Sequence, residues 1–428
     1  MNDRRIPGPL RRRPAAASLA AVALVALAAT ACSGKAEEEG GGGGGADGVA
    51  TDIGVSDSTI TLGALTDMTG PYATLGASVT QAQQLWADQT NDAGGICGRD
   101  VELVVRDHGY DAEQAVSAYS ETSSQVLAYS QFIGSAYVNT VRERIDGQDQ
   151  VLVLPQAWSA DLLGSEYIQM VGSTYDLETI NAIDFLAEEF GLGEGDTLGH
   201  VYFEGAYGEN ALAGSRHAAE ELGLSVAEQR IAPTDEDMTA QVRALAGDGV
   251  DAIVVSAGPR QAASVAGVAA AAGLEVPIIG NNSAFAPQLL DTGAGPALLA
   301  NYYVASPALP IGAEEGTPAE LSAAYAEAYP DDQLDNGVAA GYSAISLLGQ
   351  ALEAACEAED LTREGVAQAM LAMTEADNGF GIAHDFSDPA APSSTESYIL
   401  RPDADTPGGL TVLGDPFTSP LTDSYTRE

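Results

Sequence analysis

Beyond residue 52 the chain alternates short β-branched and apolar runs with longer alanine-rich stretches whose apolar positions recur at helical spacing. Thr59 to Leu65 precedes a helical pattern over 77–91, Val101 to Arg106 precedes 112–127, Gln131 to Ser135 precedes 138–147, and Val151 to Leu154 closes the series. A second series runs Tyr167 to Val171 and 176–190, Leu198 to Phe203 and 207–222, Ser225 to Ile231 and 238–246, Ala252 to Ser256 and 260–272, then Pro277 to Ile279. This alternation predicts α/β architecture, with parallel strands covered by helices on both faces. Two such series predict two doubly wound, Rossmann-like lobes. Helices over 319–329, 338–356 and 363–373 then return, and Ser397 to Leu400 reads as a late strand. No segment repeats at a solenoid period.

The first 52 residues follow a different pattern. Arg4, Arg5, Arg11, Arg12 and Arg13 precede an apolar run from Ala15 to Ala31, which ends in small residues before Cys32. That arrangement predicts a signal peptide over 1–31. The run spans 17 residues, short of the roughly 20 a membrane helix needs. The segment resembles a bacterial lipoprotein signal, which implies that Cys32 is the lipidated first residue of the mature chain. Ala29 stands where that family favours leucine, and a plain secretory cleavage is the alternative. Residues 32–52, with six consecutive glycines from Gly40, read as a flexible tether that lets the body sit about 25 Å from its anchor.

Composition narrows the partners. The 428 residues carry 62 acidic and 17 basic side chains, a formal charge of −45, and lysine occurs once, at Lys35. Removal of residues 1–31 leaves 61 acidic and 12 basic residues. Such a surface repels phosphate backbones, so nucleic acid is excluded as a partner. Open parallel sheets bind small molecules beyond the carboxyl ends of their strands, and two facing sheets form a cleft that closure seals.

Several motifs sharpen this picture. "GALTDMTGPYATLG" at 63–76, "NDAGGICGRDVELVVRDHGYDAEQAV" at 91–116, "FIGS" at 132–135, "VLPQAWS" at 153–159, "GAYGENALAG" at 205–214, "PTDEDMTAQVRALAGDGVDAIVV" at 233–255 and "VAAGYSAISLLGQAL" at 338–352 resemble, in order and spacing, the type I periplasmic binding proteins of the branched-chain amino acid and amide class. The resemblance covers residues 58 to 400. It implies two lobes joined by a three-crossing hinge near 172–176, 303–307 and 376–380, with lobe 1 formed by 53–174 and 306–378 and lobe 2 by 175–305 and 379–428. It also implies a lipid-anchored monomer on the outer face of the cell membrane that carries a small solute to an ABC transporter permease. A sensory ectodomain of the same fold is the second reading. In the turn Thr69-Gly70-Pro71, close backbone approach leads to a helix N-terminus, a natural place for a carboxylate.

The resemblance also implies site residues. In amino-acid-binding members, the loop after Gly134 offers a hydroxyl where this chain has Val138, so the nearby polar candidates are Tyr137, Asn139 and Thr140. The next loop places Ala157, Trp158 and Ser159 over the ligand. Trp158 either stacks on solute or packs as a lid residue beneath the hinge, and Tyr207 closes from the second lobe. Members that hold an α-ammonium carry an acid two places after the strand ending at Gly280, because a buried cation needs a charged partner. Here Asn281, Asn282 and Ser283 follow, and an amide carries no charge. Asn282 therefore favours a neutral, amide-like or aromatic solute.

With Cys32 lipidated, the family pattern places Cys97 and Cys356 together in the first lobe, where an oxidising compartment permits a disulfide. His108, His200, His217 and His384 lack ligand spacing, so no metal and no cofactor are expected. A secreted α/β hydrolase needs a Gly-x-Ser-x-Gly elbow. The chain has none, and a binding protein rather than an enzyme is expected.

Overall fold

The computed structural model describes Gly43–Gly44 and Gly48–Arg427. The signal segment 1–31 and Cys32 lie outside the described residues.

Parallel strands β3 (Thr59–Thr66), β4 (Asp100–Asp107), β5 (Ala128–Phe132) and β6 (Leu152–Val153) form the first sheet, in the order β4-β3-β5-β6. Helices α1 (Ala73–Asp92), α2 (Ala112–Thr122) and α3 (Ser135–Glu143) connect them. A small strand pair precedes this lobe: β1 (Gly43–Gly44) lies antiparallel to β2 (Ala50–Thr51). The second lobe opens with α4 (Tyr175–Phe190) and continues through β7 (Thr197–Phe203), α5 (Ala206–Leu222), β8 (Ser225–Ile231), α6 (Thr239–Asp248), β9 (Ala252–Ser256), α7 (Pro259–Ala272), β10 (Ile278–Gly280), α8 (Gly295–Asn301) and β11 (Tyr302–Ser306). The chain then returns to the first lobe with α9 (Gly316–Ala328), α10 (Asn336–Glu357), β12 (Asp360–Leu361) and α11 (Arg363–Leu371), and finishes in the second with β13 (Tyr398–Pro402) and β14 (Leu410–Val412). The second sheet runs β14-β13-β11-β10-β9-β7-β8, antiparallel only at β13 and β14.

Cores follow from the apolar periodicity. In lobe 1, Ile60 and Leu62 of β3 pack with Ala344, Leu348 and Leu352 of α10, since i, i+4, i+8 positions share one helix face. In lobe 2, Ile180 and Ile183 of α4 pack with Val254 and Ile399.

Several expectations need correction. The tether ends earlier than residue 52: Val49 is buried in the lobe 1 core, and Ala50–Thr51 pairs with β12. The strand expected at Gln131 to Ser135 sits at Ala128–Phe132, because Gly134 (φ 101°) turns the chain and Ser135 starts α3. Tyr167 to Val171 makes a single bridge, Val153 with Ile168, because β6 beside it has only two residues. The return to lobe 2 comes later than 379. Phe380 packs with Leu321 and Tyr325, and Phe386 packs with Ala344 and Leu348, so the third crossing falls after residue 386.

The three crossings meet. Gly172 N donates to Ser393 Oγ (2.8 Å), tying the first to the third, and Ser393 also contacts His384 Nδ1 (3.0 Å). The lobes are closed on each other: Ser159 Oγ donates to the carbonyl of Ala206 (3.2 Å), and Ala160 N donates to Asn210 Oδ1 (3.2 Å). Cys97 and Cys356 form a disulfide joining the turn after α1 to the end of α10, with Cα atoms 6.0 Å apart. Among the described residues no helix is long and apolar enough to cross a membrane.

Candidate functional site

The turn after β3 delivers the first side chain of the cleft. Asp67 accepts the backbone N–H groups of Thr69 (3.2 Å), Gly70 (2.6 Å) and Tyr72 (2.9 Å). The carboxyl group that occupies this turn is the protein's own, that of Asp67. Its effect is to hold Tyr72 at the start of α1, where the ring lines the cleft and meets Tyr110 edge-on at 5.1 Å and Phe203 of the other lobe at 6.4 Å. Tyr110 follows β4 in a left-handed conformation (φ 57°) that few non-glycine residues adopt. Tyr137 Oη donates to its carbonyl at 2.6 Å. Tyr175 and Tyr207, at the starts of α4 and α5, complete the aromatic end with ring centroids 4.1 Å apart.

Together these elements line a cleft between the two lobes. Leu75 and Val79 of α1, Ile133, Val171, Leu309 and Ala339 supply aliphatic wall. Gln156, Asn282, Ser283 and Asn336 supply isolated polar groups, and among the described residues no acidic, basic or histidine side chain lines the space. The Tyr72 hydroxyl is buried without a hydrogen-bond partner. Ser283 lies beside the hydroxyls of Tyr72, Tyr175 and Tyr207, and its Oγ donates to Tyr207 Oη (3.3 Å). Burial pushes all three phenols well above their ordinary range, so they remain protonated donors.

Behind the cleft wall lies a carboxylate that sequence reasoning missed. Glu178 of α4 accepts Asn281 Nδ2 (2.9 Å) and Asn282 N (2.9 Å) on Oε1, and Asn282 Nδ2 (2.8 Å) on Oε2. Burial pushes it up to about 7, against the downward pull of the three amide donors. The network runs deeper: Ser256 Oγ donates to Asn281 Oδ1 (2.5 Å) and contacts His200 Nε2 (2.9 Å), while Ser215 Oγ meets His200 Nδ1 (2.9 Å). Burial holds His200 down to about 3, hence neutral. On the first turn of α4, Arg427 Nε pairs with the buried Asp176 (2.8 Å), and its Nη2 donates to Thr174 Oγ1 (2.8 Å). The segment at Arg427 thus braces the helix that presents Tyr175.

The seven expected contact residues divide. Trp158, Tyr207 and Asn282 line the cleft. Trp158 does so while Nε1 donates to the Val171 carbonyl (2.8 Å) at the first crossing. Tyr137 stands behind Tyr110, with its hydroxyl spent on that residue's backbone. Asn139 is exposed on the outer face of α3, because helical pitch turns its neighbour Val138 inward. Ala157 is buried in the core, and Ser159 uses its hydroxyl on Ala206 across the lobes. Tyr72 and Tyr110 stand inside the recognised motifs at 63–76 and 91–116, whereas Tyr175 and Glu178 had no motif to mark them. Among the described residues no group of three or more His, Cys, Asp or Glu is placed to hold a metal.

Two α/β lobes, three chain crossings and an uncharged cavity between the sheets define a solute-binding protein that encloses its ligand. The chain belongs to the periplasmic binding protein family, whose model matches residues 59–407. It is similar to the fatty acid ABC transporter substrate-binding protein from Thermomonospora curvata, with 48% identity, a TM-score of 0.88, and coverage of 90% of this chain and 98% of that one. It shares the fold of a branched chain amino acid ABC transporter protein from Thermus thermophilus with bound valine, at 20% identity and a TM-score of 0.75 over 85% of this chain and 97% of that one. The Leu/Ile/Val-binding protein BraC3 of Rhizobium johnstonii is 24% identical over 200 residues, 45% of this chain. The match spans about half of that curated relative, 53% of its length.

Proposed function

We propose that this protein is an exported solute receptor that carries a predominantly apolar, chain-bearing compound of the fatty-acid class to the permease of an ABC importer. The observation that carries this reading is the wall of the cleft, which combines five aromatic side chains with aliphatic ones and, among the described residues, has no charged group. A zwitterionic amino acid brings two full charges, and burying them without charged partners is costly. Glu178, the carboxylate behind Asn282, is already engaged by three amide donors. An alkyl chain needs no such partners and gains about 0.8 kcal/mol per buried methylene. The fatty acid-binding relative, at nearly half identity, supports the same class. On this reading the mature chain is a monomer held at the outer face of the membrane through a lipid on Cys32, and mass spectrometry of the mature N-terminus tests that attachment.

Calorimetric titration with straight-chain acids of six to twelve carbons, and with leucine, tests the ligand class. The expected result is binding that tightens roughly fourfold per added carbon until the wall is reached, with no heat from leucine. Saturable binding of leucine without binding of any straight-chain acid rejects it.

A further inference from the structure

Resting on that reading, we infer that the cleft takes the polar head of its ligand in neutral form, as an undissociated acid or an amide, with one hydrogen-bond donor and one acceptor. Two fixed protein groups carry this. Glu178 draws both the backbone N–H and Nδ2 of Asn282 towards itself, so the amide oxygen Oδ1 is the end left to face the cavity that Asn282 lines. That oxygen can only accept. The buried Tyr72 hydroxyl has Ser283 and Tyr110 beside it but makes no hydrogen bond of ordinary geometry with either, so its hydrogen can be given to a ligand. Ser283, the residue after Asn282, lies beside Tyr72, Tyr175 and Tyr207, which puts the acceptor and the donor at the same end of the cavity.

An ionised carboxylate has no hydrogen to give. At Asn282 Oδ1 it meets an acceptor with the Glu178 carboxylate behind it, and among the described residues no cationic side chain lines the space to offset its charge. An undissociated acid donates its O–H to Asn282 Oδ1 and accepts from Tyr72 at its carbonyl; a primary amide makes the same pair of bonds. For an acid of pKa about 4.5, the neutral form is roughly one part in 300 at pH 7. That dilution is modest beside the cost of a buried ion without a partner. The titratable groups around the head are the phenols of Tyr72, Tyr110, Tyr175 and Tyr207. Glu178 stands behind Asn282, Asp67 behind Tyr72, and His108 contacts the backbone of Tyr110.

The test compares octanoic acid with octanamide, both titrated into the full chain between pH 6 and 8.5. Titration of the protein's own groups affects a neutral acid and the amide alike and cancels in the ratio of their dissociation constants; ionisation of Glu178 around pH 7 disfavours a bound carboxylate alone, so the slope is read between pH 7.5 and 8.5, where Glu178 is largely ionised. The expected result is a ratio, acid over amide, that rises about tenfold per pH unit, following loss of the neutral acid. A ratio that stays constant with pH, the acid binding at least as tightly as the amide, overturns the inference and leaves the fatty-acid reading standing. Binding of neither compound overturns that reading and the inference with it.

Discussion

Gly172 and Pro307 touch where the first two hinge crossings pass each other. Gly172 has φ +102°, and a Cβ built there falls 2.5 Å from Pro307 Cβ. Only glycine allows the crossings to lie this close with the lobes closed.

Gly172→Ala is therefore expected to destabilise the closed form by about 1–3 kcal/mol. Ligand binding should weaken by roughly fivefold or more, with a larger radius of gyration in small-angle scattering at saturating octanoic acid. An unchanged dissociation constant shows that closure does not need this contact.

Tyr72→Phe separates binding from stability. The hydroxyl makes no hydrogen bond of ordinary geometry in the protein, so its removal leaves unfolding free energy unchanged or raised by about 1 kcal/mol. Affinity for octanoic acid and octanamide should fall together by about tenfold. A variant that unfolds more easily yet binds normally contradicts the role given to this hydroxyl.

Stability carries opposing pH dependences. Glu178 and Asp335 are each pushed by burial from the ordinary carboxylate range up to about 7. Between roughly pH 4 and 7 the folded protein therefore holds protons that the unfolded chain has lost. Their contribution is full at low pH and disappears as pH rises through 7. His200 and His384 are pushed down to about 3 and 4. They bind fewer protons folded than unfolded, so their contribution is full above pH 6.5 and lost as pH falls through about 4 for His384 and about 3 for His200. The two pairs oppose each other over much of this range, and variant differences resolve them. The stability of the parent minus that of Glu178→Gln should fall by on the order of 2 kcal/mol between pH 4.5 and 7.5 and then level off, as measured by urea unfolding. A flat difference shows that Glu178 does not titrate there.

The Cys97–Cys356 bond spans 259 residues of chain. Replacing both cysteines with serine removes a constraint on the unfolded state and should cost about 2–4 kcal/mol. Denaturant unfolding with and without reductant checks this: reductant should destabilise the parent and leave the double variant unaffected.

Much of the architecture was legible along the chain. The alternation of short apolar runs with helical spacing is local, so β3, β4, β7, β8 and β9 and most helices follow from it closely. Edges were less legible. β11 and β14 were not anticipated, and β5 and the third crossing were displaced, because pairing partners decide where short strands begin and end. The segment 302–306 becomes a strand by lying between β10 and β13.

The cleft shows the same division more sharply. Recognised motifs held Trp158 and Tyr207, the family position after the strand ending at Gly280 pointed to Asn282, and the composition of the 280–283 turn argued for an uncharged contact. That the amide of Asn282 is oriented by Glu178, 104 residues earlier, depends on α4 packing against the end of β10. That Tyr72, Tyr110, Tyr175 and Tyr207 converge depends on four loops from two sheets meeting at a closed hinge. Periodicity records which face of each element is buried, because that cost falls on the element itself. It holds no record of which distant side chains share a cavity, because that juxtaposition arises only when the sheets close on each other.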